Sequence, residues 1–176
     1  MDPGFAASRE DETSPIRFHS EQITARFLSP DGAEVMKSLE VRFDPLLGTS
    51  SRIAQGVVLS KADEGALALL QAPSSGCPFC PDQIHEVTPK VLVPIHQGGR
   101  LERGESGLFP NLVPYSQYAA VAVFSQKHWL ALNGFTPQRL FDNFAVAVDY
   151  VRKVHALDSR AENCAYNINY LYPSGG

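Results

Sequence analysis

The amino-acid sequence predicts an α+β fold, in which an antiparallel sheet carries one long amphipathic helix. Three patterns support this prediction: two segments of alternating apolar residues near the N-terminus, one continuous apolar run in the middle, and one apolar stripe with helical spacing near the C-terminus. The chain has 176 residues, which is the length of one ordinary domain and enough to bury a core without disulfides.

Composition sets the expected boundaries and environment. Residues 1–20 combine Asp, Glu, Ser and Pro with little apolar content, which is typical of a disordered leader. We expect residues 21–176 to form the single folded domain. With neither a signal peptide nor an apolar run of membrane-spanning length, we expect a cytoplasmic protein without a membrane partner. The net charge of -4 and the lack of a basic block argue against nucleic acid, whereas a small phosphorylated ligand is compatible.

The domain is expected to begin with two strands. Apolar and polar residues alternate over residues 23–27 and again over residues 39–43, with Pro-Asp-Gly at residues 30–32 as a turn between them. Residues 44–48, Asp-Pro-Leu-Leu-Gly, predict a second turn. A further strand is expected over residues 53–59.

The middle of the chain predicts a helix, a loop and a buried strand. Residues 62–70 are rich in helix formers. Seven of the thirteen prolines fall between Pro73 and Pro114, so we expect extended loop throughout that stretch. Residues 118–124, YAAVAVF, have the apolar pattern of a strand covered on both faces.

The clearest element is a helix that begins at Thr136 and Pro137, with threonine as N-cap and proline at the first helical position. It should run to about Leu157. Its expected buried stripe consists of Leu140, Phe141, Phe144, Val148, Val151 and Val154.

The C-terminal segment predicts one more strand. Tyr and Ile alternate with Asn over residues 166–172, giving one aromatic face and one face that bears amides. Cys164, just before this strand, is expected to be a small buried hydrophobe.

Cys77-Pro-Phe-Cys80 is the candidate metal motif. A Cys-x-x-Cys turn places two thiolates within reach of one tetrahedral metal, and Pro78 and Pro81 stiffen that turn. Three cysteines in a chain of this length do not make a secreted disulfide framework. The spacing alone leaves a metal site, a redox pair and two ordinary thiols as alternatives.

His128 is the best candidate for a third ligand, because it follows the buried strand directly and a rigid strand end would aim it. His85 and His96 are closer to the cysteines in sequence and remain competitors. An ordinary surface histidine at the start of a loop is also consistent with His128.

Two residues are candidates for contacts with a phosphorylated ligand. Arg52 follows Gly-Thr-Ser-Ser, whose hydroxyls and amides could join it around a phosphate, although a solvated arginine fits equally well. Asn111 lies in a Phe-Pro-Asn-Leu turn that would present its amide to a sugar or base. Asparagine is also common in turns for conformational reasons.

From about Val41 onward, the order of these motifs resembles the galactose-1-phosphate uridylyltransferase family of the histidine-triad superfamily. The resemblance rests on DPLLG, CPFC, Phe-Pro-Asn, VAVFSQKHWLAL, the amphipathic helix, and the Asn169 segment with its following glycine. It implies that the domain is a histidine-triad-like half of a uridylyltransferase-type fold.

The resemblance also implies the site residues. It implies a structural zinc, or iron as the alternative metal, bound by Cys77, Cys80 and His128. It further implies nucleotide contacts from Asn111, Leu112, Asn169, Gly175 and Gly176. Leu112 departs from the family pattern, which commonly has an acidic residue there.

The implied activity is nucleotidyl transfer between a nucleoside diphosphate sugar and a sugar 1-phosphate, through a covalent nucleotidyl-histidine. The family's His-Pro-His motif would lie beyond Gly176, so this chain carries no catalytic residue and is expected to be inactive alone, as a truncated chain or a partial gene product. The first histidine of that motif would be the fourth zinc ligand, so we expect weakened metal binding. The family's members often form homodimers.

Two alternatives remain at this level. A nucleotide-sugar or dinucleotide phosphorylase of the same superfamily would use inorganic phosphate as acceptor. A non-catalytic zinc-binding module would use the long loop to bind a protein partner.

Overall fold

The computed structural model describes residues 16–53 and 77–170. The described residues form two antiparallel three-stranded sheets, where one sheet was expected, and one long helix, so the predicted α+β class is confirmed. Residues 1–15 of the expected leader, the expected helix at residues 62–70, most of the strand expected at residues 53–59, and residues 171–176 lie outside the described residues. None of the described helices is both long and apolar enough to cross a membrane.

The first sheet contains β1 (His19–Leu28), β2 (Glu34–Phe43) and β3 (Ser50–Ile53) in that order. β1 and β2 form the predicted hairpin, which starts two residues inside the predicted leader. The buried side chains of this hairpin lie on one face, as the alternation predicts: Ala25, Phe27, Leu39 and Val41. β3 is exposed along its whole length.

The turn between β2 and β3 confirms the Asp-Pro-Leu-Leu-Gly prediction. The Asp44 carboxylate accepts hydrogen bonds from the backbone N–H groups of Leu46 (2.8 Å) and Leu47 (3.0 Å). Gly48 adopts φ of 68°, a left-handed conformation that other residues rarely adopt. The turn thereby fixes the register of β3 against β2.

The second sheet contains β4 (Leu101–Arg103), β5 (Ser106–Pro110) and β6 (Ala120–Val123) in that order. β4, β5 and a short helix α1 (Ile84–Val87) lie within the stretch expected to be loop, so that prediction was wrong. The prolines of its described part stand outside the short elements, except for Pro110 at the last position of β5.

β6 confirms the strand expected at residues 118–124, but not its burial. All four of its residues are half-buried rather than covered on both faces. Among the described residues β6 is an edge of its sheet, so only one side of its ladder is paired. Among the described residues, an isolated bridge joins the end of β1 to the segment before β4, where Leu28 and Lys90 exchange backbone hydrogen bonds of 2.8 and 2.7 Å.

Helix α2 (Pro137–Leu157) has the predicted bounds and the predicted cap, because the Thr136 hydroxyl accepts a hydrogen bond from the N–H of Arg139 (3.3 Å). Its buried face, however, differs from the predicted stripe. The side chains that face the core are Asn143, Val146, Tyr150 and Val154. They pack with Val91, Ile95, Leu101 and Leu108.

The predicted stripe was wrong in part, because the face of α2 that packs on the core includes the buried Asn143, which the stripe omitted. Phe141, Phe144 and Val148 are 56%, 44% and 45% exposed. Phe141 lies under the Arg103 guanidinium, and Phe144 stacks on Tyr166. Of the stripe, Val154 does lie in the core.

Asn143 is fully buried, and both the nitrogen and the oxygen of its carboxamide are hydrogen-bonded. Its Nδ2 donates to Ser106 Oγ (2.8 Å) and to the carbonyl of Val123 (3.0 Å), and its Oδ1 accepts from the Tyr166 hydroxyl. Ser106 Oγ in turn donates to the Val123 carbonyl at 2.8 Å. This network joins α2, β5, β6 and the segment after α2, and satisfied groups of this kind are tolerated in a core.

The strand expected over residues 166–172 was wrong over its described part, since residues 161–170 form no strand. The hydroxyls of Tyr166 and Tyr170 donate in different directions, to Asn143 and to the Leu130 carbonyl (3.1 Å). These contacts hold the segment against α2 and the loop after β6 without a backbone ladder. Cys164, expected to be buried, is exposed.

Candidate metal centre

The Cys77–Cys80 turn is held by backbone hydrogen bonds. The N–H of Cys80 donates to the Cys77 carbonyl (3.2 Å), and the Cys80 carbonyl accepts from the N–H groups of Gln83 (2.9 Å) and Ile84 (2.8 Å). The turn therefore leads directly into α1, and both thiols are partly buried. The Cys-Pro-Phe-Cys-Pro sequence folds in this way because its prolines favour a turn. The residues after the turn then continue into α1.

His128 follows β6 by five residues and turns back toward this motif. Ser125, which is buried, accepts a hydrogen bond from the N–H of Lys127 through its hydroxyl (3.2 Å) and so shapes the turn. His128 Nδ1 lies 3.2 Å from Cys80 Sγ, although the two residues are 48 positions apart in sequence.

The Sγ atoms of Cys77 and Cys80 and a ring nitrogen of His128 all lie within 4.8 Å of one another. Among the three histidines that the sequence left open, His128 is the one that joins the cysteines. His96 uses its Nδ1 to accept from the N–H of Gly98 (3.1 Å), and His85 lies in α1 outside the cluster.

These positions fit a tetrahedral metal. With Zn–S bonds of about 2.3 Å and Zn–N bonds of about 2.0 Å, neighbouring ligand atoms lie roughly 3.5 to 3.8 Å apart. The cluster has that scale before any metal is added. Within residues 16–53 and 77–170, the cluster consists of two cysteines and one histidine. A tetrahedral metal would therefore have one coordination position left for water or another group.

The electrostatic environment favours a bound cation over a reactive thiol. Burial raises the pKa of the Cys80 thiol to about 11, and the hydrogen bond with Cys77, the charge of Cys77 and the charge of Asp82 act in the same direction. Reactive redox cysteines have the opposite environment, in which positive charge lowers the thiol pKa. A metal ion would supply the missing positive charge and displace the thiol protons.

An open cleft of about 80 Å³ adjoins the cluster. Its lining includes Phe79, which lies between the two cysteines, together with Phe109, Arg100, Ser125 and Gln126. Arg100 was missed from sequence, because an arginine after two glycines carries no signal of burial. The structure makes it one of the few buried charged residues of the described chain.

The candidate nucleotide contacts are not assembled in the same way. Arg52 lies exposed on β3 rather than in a loop, and Asn169 is exposed in the irregular segment after α2. Gly175 and Gly176 lie outside the described residues. In the described chain no hydrogen bond joins Arg52, Asn111 and Asn169 to one another.

Asn111 stabilises the turn after β5. Its Oδ1 accepts from the N–H of Val113 (3.0 Å), and its own N–H donates to the Ala119 carbonyl (2.9 Å). Leu112 is 60% exposed at the tip of this turn. It borders an open groove whose other wall includes Lys37 and Leu39 of β2.

Known proteins similar to this chain were sought among family models, solved structures and curated sequences. No protein-family model matches the chain, and no solved structure matches it. An uncharacterized protein of Archaeoglobus fulgidus is 32% identical over 164 residues, which cover 91% of this chain and 47% of the relative. The chain thus spans about half the length of this relative, whose description assigns it no activity.

Proposed function

We propose that Cys77, Cys80 and His128 form a structural zinc centre, with iron as the alternative metal. The observation that carries this proposal is the convergence of three soft or borderline ligand atoms within 4.8 Å, from segments 48 residues apart. Thiolate and imidazole ligands suit zinc best among common divalent metals. The metal would fasten the turn before α1 to the chain that leaves β6.

We further propose that the chain is the N-terminal half of a nucleotidyltransferase of the galactose-1-phosphate uridylyltransferase type. The motif order supports this proposal, and so does the pairing of the CPFC cysteines with the histidine of the FSQKH segment. The relative that is about twice as long is compatible with a second half. We propose a cytoplasmic homodimer with nucleoside diphosphate sugars and sugar 1-phosphates as ligands.

The proposed chemistry uses a histidine that is not among the 176 residues. A neutral imidazole would attack the α-phosphate of the nucleoside diphosphate sugar and release sugar 1-phosphate, after which a second sugar 1-phosphate takes the nucleotidyl group from the imidazole. This chain would hold the nucleotide. The Asn111 Nδ2 makes no hydrogen bond within the described residues and is free to donate to a ribose or base.

A nucleotide titration followed by NMR tests this second proposal on the zinc-loaded chain. Adding UDP-sugar should shift the side-chain amide signals of Asn111 and Asn169, whereas those of the exposed Asn163 should stay in place. If the chain retains zinc but neither Asn111 nor Asn169 shifts, the result would instead favour a non-catalytic zinc module.

The acceptor is decided separately on the full-length protein. Transfer to galactose 1-phosphate or another sugar 1-phosphate supports the transferase. Turnover with inorganic phosphate alone would identify the phosphorylase of the same superfamily and overturn the transferase assignment.

A further inference from the structure

Arg100 is a buried cation whose hydrogen bonds go to neutral groups. It is 8% exposed, and its guanidinium donates to the Thr88 hydroxyl, to the Thr88 carbonyl (2.9 Å) and to the His85 carbonyl (3.5 Å). Burial lowers the pKa of Arg100, against an opposing effect of the Glu102 charge, but arginine stays protonated in proteins. Burying a charge costs free energy unless the charge is hydrogen-bonded. The hydrogen bonds of Arg100 are therefore needed to keep it buried.

A first chain of contacts runs from Arg100 to Cys80. Thr88, which accepts from Arg100, donates its hydroxyl proton to the Ile84 carbonyl at the other end of α1. The N–H of Ile84 donates in turn to the Cys80 carbonyl at 2.8 Å. The guanidinium therefore holds carbonyls of α1 and of its C-cap residue Thr88, while the first residue of α1 is hydrogen-bonded to Cys80.

A second chain of contacts runs through aromatic rings. The Arg100 guanidinium carbon lies 5.6 Å from the centre of the Phe109 ring. Phe109 stacks on Phe79, with centres 5.9 Å apart and planes at 28°. Phe79 stands between Cys77 and Cys80, so this contact ends on the metal motif itself.

The backbone before Arg100 is fixed independently of these contacts. Gly99 has φ of 76°, and a Cβ at this position would lie 2.9 Å from the Cβ of Lys90. Its carbonyl accepts from the N–H of Val91 at 2.7 Å, next to the buried core. The start of the Arg100 side chain is therefore anchored to a part of the fold that does not depend on the cysteines.

We propose that Arg100 is a positioning residue for the Cys77, Cys80 and His128 centre, and this inference rests on the metal centre proposed above. It holds α1 and Phe79 in place, so that the two thiolates lie near His128 before the metal binds. The planar guanidinium reaches the Thr88 hydroxyl, the Thr88 carbonyl and the Phe109 ring face together. A lysine ammonium has the charge but lacks this fork and this stacking plane.

The test compares Arg100→Lys with Arg103→Lys in the whole chain, by zinc competition against a chromophoric chelator. Arg103 is a matched control because its guanidinium is exposed and donates to Asp142 on the α2 side (3.0 Å). Arg100→Lys should weaken zinc binding by about 10- to 100-fold, the range seen for groups that orient metal ligands, and Arg103→Lys by less than about twofold. The cobalt-substituted Arg100→Lys chain should also show altered thiolate-to-cobalt absorption, which a loss of stability alone would not produce.

Thr88→Val provides a second variant, should Arg100→Lys fail to fold. It removes the hydroxyl link and keeps the guanidinium over Phe109, so it should weaken zinc binding by about 10-fold, the lower end of that range. Urea unfolding of the metal-free chains shows which variants are folded. If wild type binds zinc and the folded variants bind it equally well, Arg100 is not a positioning residue. If wild type binds no metal, the metal centre itself is wrong.

Discussion

The cysteine-histidine cluster and the candidate nucleotide contacts differ in how the chain holds them. Cys80 is fixed by α1, and His128 follows a strand that is paired with β5. Asn169, in contrast, is exposed in a segment without a backbone ladder. The geometry of the cluster is therefore set by hydrogen bonds within the described chain. No such hydrogen bond brings Asn111 and Asn169 together.

The segment after α2 shows an intermediate case. It has no strand pairing, but Tyr166 is tied to the buried Asn143 and Tyr170 to the Leu130 carbonyl. Side-chain contacts thus replace backbone pairing. We therefore expect large effects on zinc binding or stability where a candidate ligand or a buried amide is removed. Small effects are expected at exposed caps and ion pairs.

The largest effect is expected at the cluster. Cys80→Ser removes one of three protein ligands and should weaken zinc binding at least about a thousandfold, since thiolate bonds supply much of the binding free energy of such sites. Isothermal titration with zinc measures this. Cys164→Ser is the matched control because Cys164 is exposed and outside the cluster. Equal loss in both variants would mean that the cluster is not the site.

The next effect is expected at the buried amide. Asn143→Ala removes the donor to the Ser106 hydroxyl and the acceptor of the Tyr166 hydroxyl, and it opens space in the core, so the free energy of unfolding should fall by about 3 kcal/mol. Urea denaturation measures this change. The exposed Asn167→Ala is its control and should leave the free energy of unfolding within about 0.5 kcal/mol of wild type. A similar cost in both would show that the Asn143 network contributes nothing specific.

A smaller effect is expected at the start of α2. Thr136→Ala removes the hydroxyl that accepts from the N–H of Arg139 and should lower the free energy of unfolding by about 1 kcal/mol. Thr49→Ala, in the exposed turn before β3, is the comparison. The cap assignment fails if Thr136→Ala melts at the same temperature as wild type.

The smallest effect concerns acid. Hydrogen bonds from the Arg160 side chain and backbone, with a further one from the Tyr118 hydroxyl, hold the pKa of Asp158 well below its ordinary value. Because the folded-state pKa is lowered, this stabilisation is complete above the ordinary carboxyl pKa and is lost as the pH falls below it. Asp158→Asn should therefore flatten the acid dependence of stability. Unchanged pH profiles in urea would contradict this.

The parts of the fold that were predicted from sequence have local signals. Alternation located β1 and β2, and Thr136 with Pro137 located α2. The buried face of α2 was missed because the burial of Asn143 depends on Ser106 and Val123, which are distant in sequence. β4 and β5 were missed because the surrounding prolines conceal two short strands.

The candidate site shows the same division. The Cys-x-x-Cys spacing indicated two candidate ligands. The position of His128 after the buried strand, together with the motif order, favoured it over His85 and His96. Arg100 carries no local signal, since its burial follows from the approach of Thr88 and Phe109 in three dimensions. The expected strand with Asn169 failed because alternation does not specify a partner strand.

Metal content of the purified chain is the most direct test of the proposed metal centre at Cys77, Cys80 and His128. Wild type, Cys77→Ser and His128→Ala would be loaded with zinc, passed through a desalting column and analysed by elemental mass spectrometry. We expect wild type to retain zinc, which a strong chelator removes because the chain supplies three ligands, and neither variant to retain it. A metal-free wild type, or variants that keep zinc at the wild-type level, would contradict the proposed metal centre.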